Sequence, residues 1–197
     1  MHEIFINYRS RGGKEVAYMC DRLLSARFGQ DSVFLARKSI GPSQNYVDVL
    51  IQAARSSQVL LALIDEGWLD APDPSRPGSR ALDNPQDWVR REIEEALTSR
   101  ALVVPLFIGH RVKQLDARRL PRSIAELAEC QDARLELHSF EWDLARLGDR
   151  LVRRIPALAT LGEGMHTKPS TRTEPNKAQE PLRMGNGIQL HTPADQR

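Results

Sequence analysis

The stretch Asp87-Trp88-Val89-Arg90-Arg91-Glu92-Ile93-Glu94-Glu95-Ala96-Leu97 has the apolar spacing of an amphipathic helix. On a helix that turns about 100° per residue, its other apolar residues fall between about 80° and 180° from Trp88, on one side of the axis. The two arginines and the last two glutamates occupy the opposite arc. Glu92 differs from these charged residues, because at about 40° from Trp88 it lies inside the apolar arc.

Glu92 is therefore a candidate catalytic residue. A carboxylate that faces the body of a domain loses hydration, so it must find partners or shift its pKa. The other charged residues of the helix take the solvent side, which favours a specific purpose for Glu92. The alternative is a structural carboxylate that bonds a backbone group or an arginine.

The bulk composition is typical of a soluble globular protein. The 197 residues suffice for one domain and an extension, with 41% hydrophobic and 27% charged residues. A net charge of +2, with acids and bases interleaved, does not favour a nucleic-acid partner. No apolar run reaches the roughly 18 residues that a membrane span needs. Two cysteines without CxxC spacing and an N-terminus without a secretory signal predict a cytoplasmic protein.

Several common kinds of site have no support in the sequence. The five histidines are scattered without the spacing of metal ligands, so no metal is expected. The chain has no glycine-rich dinucleotide motif, no P-loop and no GxSxG motif. Conventional dinucleotide, nucleoside-triphosphate and serine-hydrolase sites are thus not indicated.

Five apolar strand patterns alternate with five helical patterns along the chain. Strands are predicted at 3–8, 32–35, 59–64, 101–107 and 133–137, and helices at 14–28, 46–57, 85–100, 122–129 and 140–159. Asn84 is the expected N-cap of the Glu92 helix, and Pro105 places the fourth strand toward an edge or ends it early. This alternation predicts an α/β fold, a five-stranded parallel sheet with helices on both faces.

The loops that follow the first three strands indicate where a ligand binds. They comprise 9–13, 36–45 and 65–84, and in such sheets ligands lie beyond the carboxyl ends of the strands. The last loop leads into the Glu92 helix, so Glu92 is expected near this crevice. Within the 65–84 loop, residues 71–83 are expected to be exposed and mobile, because they are rich in Pro, Gly and Ser. Residues 160–197 lack aromatic side chains and are predicted to be a disordered tail, which leaves 1–159 as the domain.

Three stretches, taken in order, resemble the Toll/interleukin-1 receptor (TIR) domain of the bacterial kind, over roughly residues 2–158. Residues 4–9 (IFINYR) resemble the opening strand, and 33–42 resemble the second strand and the "BB" loop. Residues 59–69 and 87–97 resemble the third strand, its Trp-Leu turn and the catalytic helix. The BB loop departs from the family, with basic residues 36–38 in place of an acid and Pro42-Ser43 in place of Pro-Gly. These departures bear on the loop's interactions and on assembly.

The resemblance implies a flavodoxin-like TIR fold and an NAD⁺ glycohydrolase or cyclase that releases nicotinamide and leaves ADP-ribose or a cyclic isomer. It implies Glu92 as the catalytic residue, and Arg9, Ser10, Tyr46 and Trp88 as contacts to NAD⁺, which is the substrate, with no further cofactor. Homo-oligomers through TIR–TIR contacts, a separate activating sensor protein and a role as an antiphage immune effector are also implied. The alternative is a non-catalytic TIR adaptor that acts by homotypic association.

The chemistry of the residues agrees with a single catalytic carboxylate. Nicotinamide leaves as a neutral pyridine, so the carboxylate needs only to hold the ribose hydroxyls and offset the charge of an oxocarbenium-like transition state. Aromatic rings at Tyr46 and Trp88 are expected to stack on the bases, and Arg9 to meet the pyrophosphate. Core packing is the alternative for both aromatic residues, and an ion pair with a local acid is the alternative for Arg9.

Overall fold

A five-stranded parallel sheet forms the centre of the described part of the chain. The structure is a computed structural model that describes residues 2–36 and 46–164. The strands are β1 (Ile4–Asn7), β2 (Val33–Phe34), β3 (Val59–Ile64), β4 (Leu102–Ile108) and β5 (Ala133–Leu135). Their order is β2-β1-β3-β4-β5, and every neighbouring pair is parallel. This is the flavodoxin-like doubly wound order, which confirms the predicted fold class.

Helices cover both faces of the sheet. They are α1 (Lys14–Phe28), α2 (Tyr46–Ser56), α3 (Trp88–Thr98), α4 (Phe140–Arg154) and α5 (Pro156–Gly164). Helices α1, α4 and α5 pack on one face, while α2, α3 and the 3₁₀ helix Arg122–Ala128 pack on the other. None of the helices in 2–36 and 46–164 has the length and apolar character needed to cross a membrane.

Strand alternation determines which side chains of β1 face α3. Ile4 and Ile6 belong to the core under α1, whereas Phe5 belongs to the core under α2 and α3. Because successive side chains point to opposite faces, Asn7 lies on the same face as Phe5. Asn7 is fully buried, and it pairs in register with Ala62 of β3. The strand therefore directs one amide side chain toward the helix that carries Glu92.

The helix with Glu92 begins later than predicted. Its N-cap is Asp87, whose side chain accepts a hydrogen bond from the Arg90 N–H at 3.1 Å. The expected N-cap, Asn84, accepts instead from the Gln86 N–H at 2.9 Å, which is a turn that precedes the helix. The Asn84 prediction was wrong because both residue types cap helices well, and Asp87 has a further partner in the folded protein.

The loop between β3 and α3 is better anchored than its composition suggested. Asp73 is buried and accepts hydrogen bonds from Ser75, from the Arg76 guanidinium and from the Asn84 amide. Ala81 and Leu82 are also buried, and only the tip at 74–78 is exposed along its whole length. The expectation of an exposed loop therefore holds for its tip and for the single positions Pro72 and Asp83, but not for the whole of 71–83.

The placement of Pro105 corrects a second expectation. β4 runs through Pro105 to Ile108 and is paired on both sides, so it neither lies at the edge nor ends early. β5 pairs only with residues 106–108, so the part of β4 that contains Pro105 has a neighbour on one side. A missing backbone N–H is tolerated there because no second ladder needs it.

The C-terminal part of the domain also departs from the prediction of one closing helix. α4 ends at Arg154 and α5 begins at Pro156, because proline has no N–H to continue the hydrogen bonds of α4. α5 extends to Gly164, beyond the predicted domain boundary at 159. Most of the predicted disordered tail, residues 165–197, lies outside the described residues.

The loops that follow β1 and β3 approach each other closely. Gly12 has a φ of +95°, and a Cβ at this position would overlap the Asp65 carboxylate. Gly12 is thus required both by its backbone conformation and by the close contact. The contact brings two of the three predicted loops together at the carboxyl edge of the sheet.

Candidate active site

A cleft of about 370 Å³ lies beyond the carboxyl ends of β1, β2 and β3. Its walls come from the end of β1 and the loop after it, from the β3–α3 loop and from the first turns of α3. This is the position that the predicted topology gives to a ligand crevice. Of the predicted site residues, Arg9, Ser10, Trp88 and Glu92 line the cleft.

Glu92 is the buried acid of this cleft. Its residue exposure is 7%, and its Oε2 accepts a hydrogen bond of 2.7 Å from Asn7 Nδ2. Burial raises the pKa of Glu92 to about 8, the negative charge of Asp87 adds to the rise, and the Asn7 hydrogen bond opposes it. At pH 7 the carboxyl group is therefore mostly neutral, by roughly ten to one. A carboxyl group in this state is ready to ionise when a cation or several hydroxyl donors reach it.

Asn7 is the site residue that the sequence analysis missed. Its Nδ2 donates to Glu92 and also to the Val89 carbonyl at 3.1 Å, so the amide bridges β1 and α3. Its Oδ1 is buried and has no hydrogen-bond partner among the described residues. The one sequence signal was the presence of an amide at the end of an otherwise apolar strand pattern.

Arg9 is paired with an acid, as its alternative interpretation anticipated. Its Nη1 and Nη2 donate to the two Asp87 carboxylate oxygens, both at 3.0 Å, and its Nε donates to the Trp68 carbonyl at 3.2 Å. The side chains of Arg9 and Asp87 are only 10% and 13% exposed. These contacts use three of the five guanidinium N–H groups and leave two for another acceptor. A phosphate contact by Arg9 stays a prediction.

The structure describes the side chains of two of the three other residues predicted to contact NAD⁺. Trp88 is half-buried at the first position of α3, and the Arg91 guanidinium stacks on its ring at 4.7 Å. Ser10 is exposed on the cleft wall. Tyr46 begins α2, but its side chain lies outside the described residues, as do residues 37–45 of the predicted BB loop. The contacts of these residues with NAD⁺ stay predictions.

The two acids of the cleft lining differ in whether a cationic side chain pairs with them. Asp87 is engaged by Arg9 and by the N-terminus of α3, whereas Glu92 has no cationic partner among the described residues. Residues 2–36 and 46–164 contain no group of three or more His, Cys, Asp or Glu side chains that could hold a metal ion. The arrangement offers one carboxyl group that can accept from hydroxyl groups or face a developing positive charge.

Comparisons with known proteins give matches among solved structures alone. No family model matches the chain, and no curated protein matches it. The chain is similar to a metazoan TIR-STING receptor from C. gigas solved in complex with 2',3'-cGAMP, at 15% identity and a TM-score of 0.47. That match covers 86% of this chain and 40% of the receptor, so the chain spans well under half of it. It is also similar to the TIR domains of the activated Roq1 resistosome, which directly recognises the pathogen effector XopQ. That match has 16% identity and a TM-score of 0.42, and it covers 83% of this chain and 84% of the other.

Proposed function

We propose that the chain is a TIR-domain enzyme that cleaves the bond between nicotinamide and ribose in NAD⁺. The observation that carries this proposal is Glu92, a buried carboxyl group without a cationic partner among the described residues, at the cleft beyond the carboxyl ends of the strands. The products are nicotinamide and either ADP-ribose or a cyclic isomer.

The reaction needs charge stabilisation more than proton transfer. The C1'–N bond breaks, nicotinamide keeps the electron pair and leaves neutral, and the ribose acquires oxocarbenium character. Glu92, once ionised, accepts from the ribose hydroxyls and faces the positive charge. A water oxygen then bonds to C1' and releases a proton, or a nitrogen of the adenine base bonds to C1', closes a ring and likewise leaves the base to release a proton. The raised pKa of Glu92 suits this scheme, because the cationic ring and the hydroxyl donors of NAD⁺ favour the ionised carboxylate on binding.

The size of the cleft favours an assembled active site. A volume of about 370 Å³ is at the low end of the roughly 300–1,000 Å³ that small-molecule sites occupy, and NAD⁺ is a large ligand. We propose that further walls come from a second copy of the chain through TIR–TIR contacts. The small cleft supports activity that rises on assembly, and the sequence resemblance supports an immune effector that a separate sensor protein triggers.

NAD⁺ turnover with chromatographic identification of products tests the proposal. Glu92→Gln keeps the size of the side chain and removes its charge, so nicotinamide release should fall about 100-fold or more. Glu95→Gln is the matched control, because Glu95 lies on the same helix, pairs with Arg55 at the surface and should leave turnover unchanged. Release should also rise more steeply than linearly with protein concentration.

Two results would contradict the enzyme. The first is release that is the same in the wild type and in Glu92→Gln. The second is NAD⁺ left intact at high protein concentration, with candidate activators present. Filaments without turnover would support the alternative, a TIR adaptor that acts by homotypic association.

A further inference from the structure

We infer that Asn7 is the positioning residue of Glu92: it reserves Oε2 as a fixed acceptor and leaves Oε1 as the oxygen that meets the ribose. The inference rests on the proposed function where it concerns the ribose. Where it concerns the Asn7–Glu92 pair, it rests on the geometry alone. Asn7 Nδ2 lies 2.7 Å from Glu92 Oε2, in a fully buried position.

The orientation of the Asn7 amide follows from its second contact. Nδ2 also lies 3.1 Å from the Val89 carbonyl oxygen, which can only accept a hydrogen bond. A flipped amide would place Oδ1 against the Val89 oxygen and against Glu92 Oε2, where three acceptors would face one another. The N–H side of Asn7 must therefore face Glu92.

This orientation decides where the proton of neutral Glu92 resides. Oε2 receives the Asn7 N–H, so a proton on Oε2 would meet another hydrogen, and the carboxyl proton is directed to Oε1. Within the described part of the chain Oε1 has no hydrogen-bond partner, and it is not one of the enclosed unpaired atoms. Glu92 lines the cleft, so Oε1 is the carboxyl oxygen left to meet a ligand there. On ionisation, Oε1 becomes the acceptor available to a hydroxyl group.

The unpaired Asn7 Oδ1 indicates that Asn7 is not present for stability. A buried acceptor without a partner costs about 1–3 kcal/mol by general experience, whereas an apolar side chain of similar shape leaves nothing unpaired. A strand position between apolar residues would be served better by leucine. Asn7 therefore has a specific task, and among the described residues its one ionisable neighbour within hydrogen-bond distance is Glu92.

The ionisable groups that line the cleft with Glu92 do not stabilise its carboxylate in place of Asn7. Tyr8, Arg9, Arg11 and Asp87 line the same cleft as Glu92. Asp87 opposes ionisation of Glu92 through its negative charge, and Arg9 is held by Asp87. Among the described residues, Asn7 is thus the group that stabilises the Glu92 carboxylate through a direct hydrogen bond.

Titration of Glu92 by ¹³C NMR tests the inference without any need for activity. In protein labelled at the glutamate carboxyl carbons, the Glu92 resonance is identified by its loss in Glu92→Gln. Asn7→Leu removes the donor and should raise the Glu92 pKa by about one to two pH units, the value of one hydrogen bond to a charged group. Asn7→Asp should give two coupled titration steps, because two adjacent carboxyl groups share one proton.

Ser57→Ala is the control, because Ser57 is also buried and hydrogen-bonded, to the Ala53 carbonyl, but does not contact Glu92. Its Glu92 titration should match the wild type. An unchanged titration in folded Asn7→Leu, or a single unshifted step in Asn7→Asp, would overturn the inference whatever the activity.

The activity profile separates the two proposals. In an active protein, Asn7→Leu should move the acidic limb of kcat/KM to higher pH by the same amount as the NMR titration, an effect that a purely structural residue would not produce. A raised pKa in a protein that never releases nicotinamide supports the Asn7–Glu92 pair and contradicts the enzyme. A raised pKa with an unmoved pH profile contradicts the positioning role.

Discussion

The burial of Glu92 predicts that the fold loses stability as pH rises, and Glu92→Gln isolates this effect. The folded-state pKa of about 8 lies above the ordinary value of 4.5, so the folded state binds the proton more tightly than the unfolded state does. The associated stability is fully present below pH 4.5 and is lost as pH rises toward 8. Glutamine does not titrate, so the variant lacks this dependence.

The magnitude follows from the two pKa values. Between pH 5 and pH 8, the folded state keeps most of the proton that the unfolded state has already released, and at pH 8 it is still about half protonated. With about 1.4 kcal/mol for each pH unit between the pKa values, the free energy of unfolding of the wild type falls by roughly 3–4 kcal/mol relative to Glu92→Gln over that range. The comparison with the variant cancels the titration of every other group that the substitution leaves unchanged.

Urea unfolding at pH 5, 6, 7 and 8, followed by tryptophan fluorescence, measures this difference. Trp68 is fully buried, so its emission reports the loss of the core. Glu95→Gln supplies the baseline for the same substitution on the outer face of α3. A wild-type curve that stays parallel to the Glu92→Gln curve within about 0.5 kcal/mol would refute the claim that Glu92 is held in a desolvated site.

Two further predictions concern the elements that hold the cleft in place. Asp87→Ala removes the N-cap of α3 and the acid that pairs with Arg9, so urea unfolding should show a free energy of unfolding that is lower by about 1–3 kcal/mol. Asp83→Ala breaks the more exposed pair with Arg80 and should lower it far less. Equal losses in the two variants would contradict the role of the Arg9–Asp87 pair. Gly12→Ala should destabilise more than Gly78→Ala, because both glycines have positive φ but only Gly12 would also meet a carboxylate. Equal melting temperatures for the two alanine variants would show that this contact adjusts freely.

Much of the fold was predictable because its signals are local. The unbroken apolar run of β3 appears as a strand at Val59–Ile64, covered on both faces as predicted. Gly29 ends α1 where expected, with a φ of +97°. Helical periodicity also placed Glu92 on the inward face of α3, and its 7% exposure confirms that placement. Each of these inferences needed no more than about twenty consecutive residues.

The partners of the site residues were not predictable, because they come from distant parts of the chain. Asn7 and Glu92 are 85 residues apart, and Arg9 and Asp87 are 78 residues apart. Periodicity reports the direction of a side chain but not the atom that it meets. The late start of α3 has the same origin, since Asp87 caps the helix while it also binds Arg9, a contact that exists only once β1 lies beside α3.

Two of the three unpaired buried side-chain atoms of the described residues lie at the carboxyl end of the sheet, whereas the third, on His2, precedes β1. Three buried side-chain atoms of the described residues lack a hydrogen-bond partner, on His2, Asn7 and Trp68. Asn7 contacts Glu92, and Trp68 lies under the Arg9 guanidinium, 5.8 Å from its ring centre. A raised carboxyl pKa, an unpaired amide oxygen and an unpaired indole N–H all cost folding free energy. A sequence selected for stability alone would remove them with apolar substitutions, so the buried Asn7–Glu92 pair beside the cleft argues that the cleft is kept for chemistry.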